Sequence, residues 1–74
     1  MKSNNEFIGL EFTYHEEAFE YPALALVELA TILKLNCVLC GRNIATKVSE
    51  SKKDHVIEIA NENGFELRTT LEDS

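Results

Sequence analysis

The chain has 74 residues, 45% of them hydrophobic and 27% charged, with three Gly and one Pro; this suits one folded domain with a small core, because a chain of this length buries only roughly 60% of its unfolded surface. Thirteen acidic against seven basic side chains leave a formal net charge of −6, a field that disfavours nucleic acid and anionic membrane surfaces as partners. The longest apolar run, Pro22 to Val27, is far too short to span a bilayer, and the opening MKSNN lacks the apolar stretch of a signal peptide, so the expected location is cytoplasmic.

From Phe7 to His15 the chain alternates, with Ile8, Leu10, Phe12 and Tyr14 on one side and Gly9, Glu11, Thr13 and His15 on the other, the period of a half-buried strand. The acidic stretch Glu16, Glu17 and Glu20 follows, favourably placed ahead of a helix amino end, and Pro22 then opens PALALVELATIL, a helix expected over Pro22 to Leu33. Cys37 to Cys40 and Ile44 to Val48 are short apolar runs flanking Gly41, Arg42 and Asn43, which reads as a hairpin. Ser51 is a candidate N-cap and Gly64 a candidate C′ residue, so a second helix is expected from Lys52 to Asn63. Phe65, Leu67, Thr69 and Leu71 then alternate with Glu66, Arg68 and Thr70 as a last strand. The expected fold is α+β, a βαββαβ open two-layer sandwich of ferredoxin-like or HPr-like kind, with two helices on one face of a four-stranded antiparallel sheet. It occupies residues 1–74 as a single domain, with fraying at 1–5 and 72–74.

The segments YPALALVELATIL and NCVLCGRNIATKVS resemble about half of an HPr phosphocarrier, a family with a Gly-Leu-His-Ala-Arg-Pro-Ala motif and a following hairpin. Pro22 and Ala23 match its Pro-Ala and Leu26 to Ala30 its apolar helix, while Ile44, Lys47 and Ser49 fall near the second hairpin strand and its Lys-Ser. Phe19 stands at the phosphoacceptor His and Tyr21 at the motif's Arg, Ser49 falls one residue past the regulatory Ser, and the sequence stops where that family continues into a further helix. The resemblance therefore implies the fold and a docking surface without phosphotransfer, because a phenylalanine cannot accept a phosphoryl group. A rival resemblance, to TusA-like sulfur carriers, meets Tyr21 where that family has its Cys before Pro22.

Cys37-Val38-Leu39-Cys40 has the spacing of a metal knuckle, but His15 and His55 lie fifteen or more residues away and match no zinc-finger pattern. In a strand the two thiols point to opposite faces, which prevents a disulfide and suits small apolar fillers. His15 is expected at the surface and His55 solvated beside Lys52 and Lys53, so neither His15 nor Ser49 is expected to take a phosphoryl group.

Helix one carries the most information. Counted at about 100° per residue, Glu28, Thr31 and Lys34 mark the wet side, yet Leu24 and Leu35 share that arc and Tyr21 and Ile32 sit at its edge. Surplus hydrophobes suggest a docking surface centred on Tyr21, Leu24, Ile32 and Leu35 and flanked by Glu16, Glu17, Glu20 and Glu28. The expected function is a non-enzymatic protein-interaction or regulatory module, binding a protein partner or forming a homodimer through helix one, with no metal or cofactor. The alternative is a small metal- or thiol-binding carrier using Cys37 and Cys40.

Overall fold

A computed structural model describes residues 6–72, with the backbone alone at 71 and 72. Strand β1 (Phe7–Tyr14) leads to helix α1 (Pro22–Leu33), the hairpin of β2 (Cys37–Cys40) and β3 (Asn43–Ser49), helix α2 (Lys53–Glu62) and strand β4 (Phe65–Glu72). The sheet order is β2-β3-β1-β4 and all neighbours run antiparallel. It follows that β1 is parallel to β2 across β3, and β3 to β4 across β1, giving two interlocked split β-α-β units. Both helices lie against one face and against each other. This is the expected two-layer α+β sandwich. Of the ends expected to fray, Glu72 closes β4, whereas 1–5, 73 and 74 lie outside the described residues.

The alternation of β1 does what its period requires. Ile8, Leu10 and Phe12 are buried beneath the helices with Ile44, Thr46 and Val48 of β3, and Ala25, Leu29, Val56, Ala60 and Phe65 complete the core. Thr46 is the one buried polar residue among the described residues; its hydroxyl donates to the Asn36 carbonyl at 2.7 Å, tying the loop before β2 to the middle of the sheet. Tyr14 and Phe19 meet edge to face at 5.7 Å between ring centroids, and both flank Phe65, at 6.4 and 5.4 Å. Phe19 is thus a packing residue at one end of the core.

The Tyr14 hydroxyl in this cluster is buried without a hydrogen-bond partner among the described residues. An unsatisfied buried polar atom costs roughly 1–3 kcal/mol. Tyr14→Phe is therefore expected to stabilise the fold by about 1 kcal/mol in urea unfolding; a loss of stability would mean that the hydroxyl has a water or another partner.

Three local expectations change. Ser51 does not cap α2: the chain enters through a 3₁₀ turn, Glu50–Lys52, and Lys52 stands at the cap with no side-chain bond, while Ser49 and Ser51 face each other at 3.4 Å. Asn43, read as part of the turn, already belongs to β3, so the loop is the two residues Gly41 and Arg42. Gly41 takes φ +66°, the first loop position that a type II′ turn reserves for glycine. In β4, Leu67 pairs with Phe12 but Thr69 pairs with Glu11, leaving Arg68 as an extra residue opposite the bond between them. This bulge turns Thr69 to the open face with Glu11, so the simple alternation holds only through Phe65 and Leu67; the Leu71 side chain, expected to continue it, lies outside the described part. Gly64 meets its expectation, with φ +91° and Phe65 fully buried behind it.

Candidate functional site

Helix α1 begins at Pro22, as a proline at the first helical position favours, and ends where Lys34 adopts φ +59° and donates its N–H to the Ala30 carbonyl at 2.8 Å. Its sheet-facing line is Ala25 and Leu29. Tyr21 and Leu24 are 63% and 54% exposed, and Glu17, Glu20 and Glu28 stand in water. Val27, 61% exposed, joins them, although the wheel did not single it out. Ile32 and Leu35 are elsewhere, half-buried against the core. Leu35 escapes the wheel because the left-handed turn at Lys34 has already ended the helix.

Strand β2 is the second notable element. It lies at the sheet edge and packs beside α1. Val38 is 58% and Leu39 41% exposed, and Cys40 is exposed as well. No charge, proline or bulge blunts this edge, although such devices are how native sheets usually discourage strand pairing. Within the apolar run CVLC, expected as a hairpin strand, the lack of any charge is the signal in the sequence that marks an open edge. The open sheet face differs, being polar where Asn43 donates to Glu11 at 2.9 Å. The exposed Arg42–Glu16 pair, 3.0 Å apart, adds little stability in water.

Register places Cys37 opposite Thr46, on the helix side, and Cys40 opposite Asn43, on the open side, so the two thiols face apart as expected and both are free. The Cys37 thiol also approaches the Leu35 carbonyl at 3.7 Å. Burial raises its pKa, opposed by a weaker hydrogen-bonding contribution from Thr46. The thiolate is the reactive form, so at neutral pH the exposed Cys40 should react quickly with a disulfide reagent and Cys37 slowly, with Cys37 labelling continuing to accelerate as pH is raised toward its elevated pKa. Equal rates for the two would contradict this. Among the described residues, no three His, Cys, Asp or Glu side chains converge as a metal cage would require.

A cleft of about 600 Å³ opens between the carboxyl end of α1 and the amino end of α2. Its floor is Val48 and Val56, its walls are Ile32, Leu33, Leu35 and Ile59, and Phe7, 50% exposed, borders it. Lys34, Lys52 and His55 stand at its rim; Lys47 also borders it, but its place between the buried Thr46 and Val48 turns its side chain to the open face of the sheet. Thus Ile32 and Leu35, expected in a docking surface, line this cleft instead, and His55 is exposed as expected but shares a site with Lys34 and Lys52. No carboxylate is among the described residues that line it. Lys34 holds a left-handed backbone that costs a non-glycine residue about 1–2 kcal/mol.

No family model, curated protein or solved structure matches this chain.

Proposed function

We propose that this protein is a non-enzymatic interaction module and that its partner is a second copy of itself, joined along the β2 edge and the adjoining flank of α1. The observation that carries the reading is the absence of charge there. Counted at about 100° per residue, Ala23, Leu26, Val27 and Ala30 recur at i, i+3, i+4 and i+7 on a stripe centred about 130° round from the buried line of Ala25 and Leu29. A right-handed β1-α1-β2 crossover turns this flank toward β2. Together with Cys37 to Cys40 it contains no Asp, Glu, Lys or Arg, in a chain that is 27% charged. Two copies carrying −6 each repel over most approaches, and meet with least repulsion across such a face.

Geometry favours the same occupant. In a two-residue hairpin the closing pair, here Cys40 and Asn43, exchanges both backbone bonds, which leaves the N–H and C=O groups of Cys37 and Leu39 pointing outward. A two-fold axis normal to the sheet sets Val38 of one copy opposite Val38 of the other, keeping the helices of both on one side. Two strands span about 9.6 Å and packed helices sit about 8–10 Å apart, so continuing the sheet brings the two α1 helices to packing distance. Tyr21 and Leu24 stay on the outer shoulder beside Val27, with Glu17, Glu20 and Glu28 in water. Light scattering over a dilution series tests the reading. A mass of two chains that falls toward one on dilution is expected; a single-chain mass at every concentration overturns it.

A further inference from the structure

The docking reading leaves the cleft between the helix ends unused, and the cleft has a chemistry of its own. Two lysines, Lys34 and Lys52, stand at its rim beside His55. The sequence has thirteen carboxylates, and none is among the described lining residues. A surface patch placed at random in an acidic chain would be expected to carry the opposite sign. Beneath the cations the floor and walls are aliphatic, and the volume of about 600 Å³ lies in the range of small-molecule sites.

The backbone at Lys34 adds a second, independent observation. Its φ of +59° is one that glycine adopts without strain, and glycine is the usual residue at this place after a helix. A lysine there carries a conformational cost, and it borders the cleft. Among the described residues neither Lys34 nor Lys52 forms an ion pair, so both charges are available to a ligand.

We infer that this cleft binds a small amphipathic carboxylate, an acyl or aryl body seated on Val48, Val56, Ile32 and Ile59 with its carboxylate between Lys34 and Lys52. The apolar body supplies burial and the two ammonium groups supply orientation and sign selection. The site is built from α1, β3 and α2 and does not depend on the β2 edge, so it stands whether or not the chain pairs with itself.

Octanoate is the probe, followed by amide chemical shifts on the full chain, with octanol and acetate as the head-less and body-less controls. Saturable shifts at Val48, Lys52, His55 and Val56 are expected with octanoate and much weaker ones with either control. Lys34→Gly removes one charge while relieving the left-handed backbone, so it should fold at least as stably as the parent yet bind octanoate at least about tenfold more weakly. Lys52→Gln should weaken binding to a similar extent. Octanol binding as tightly as octanoate would show an apolar crevice without anion recognition, and acetate binding as tightly would show a plain anion site. Either result, no saturable shift, or unchanged affinity in a folded Lys34→Gly, overturns the inference.

Discussion

Phe65→Ala is expected to remove about 3–5 kcal/mol of stability, the usual cost of emptying a fully buried phenylalanine site. A folded domain holds roughly 0.05–0.15 kcal/mol per residue, about 4–11 kcal/mol for a chain of this length, so this substitution takes at least about a quarter of it and up to the whole. Phe65 occupies a junction: it follows the positive-φ Gly64 that ends α2, opens β4 opposite Tyr14, and stacks against Phe19 from the segment before α1. Its loss therefore loosens both halves of the sandwich at once. Urea unfolding followed by circular dichroism measures it, and a destabilisation below about 1 kcal/mol would show that the aromatic cluster does not support the core. Phe19→Leu, at the half-buried outer side of the cluster, should cost far less.

The second large effect concerns pairing of copies. Val27→Glu with Val38→Lys places charge at two positions that are 61% and 58% exposed in the single chain and so should leave the fold intact. In the proposed pair, Val38 stands opposite its own copy across the two-fold axis, on the open face that Cys40 shares, so two lysines there repel directly, while Val27→Glu puts a carboxylate into the apolar flank of α1. Like charges opposed in an interface cost several kcal/mol, so the dissociation constant should rise by about 100-fold or more. Because folding and pairing are linked by mass action, the thermal midpoint of the parent should climb with protein concentration and that of the double variant should not. A concentration-independent midpoint in the parent, or a variant that remains two chains in mass, removes the edge-to-edge arrangement. A pair that survives the substitutions would have to use another surface.

Much of the local structure is legible in the residues themselves. Pro22 could only open a helix, and good helix formers carry it to Leu33, where both bounds agree with expectation. Period-two alternation marks β1, and the short loop around Gly41 marks the hairpin. Other features were hidden because their cause is not local. Arg68 looks like one more alternating residue until β1 sets its register, and Ser51 looks like a cap until the chain arrives through a 3₁₀ turn. Leu35 looks like part of the helix face until Lys34 turns left-handed.

By its residues alone, this protein determines a small acidic α+β domain, two apolar cysteines that cannot meet, and a first helix carrying more hydrophobic surface than one sheet face needs. Each follows from composition or from a period along the chain. Tertiary structure decided where that surplus lies. Strand order put uncharged β2 at an edge beside α1, and folding gathered Lys34, Lys52 and His55 from two distant segments around one cleft. Both depend on pairings between residues far apart in sequence, to which no periodic pattern points.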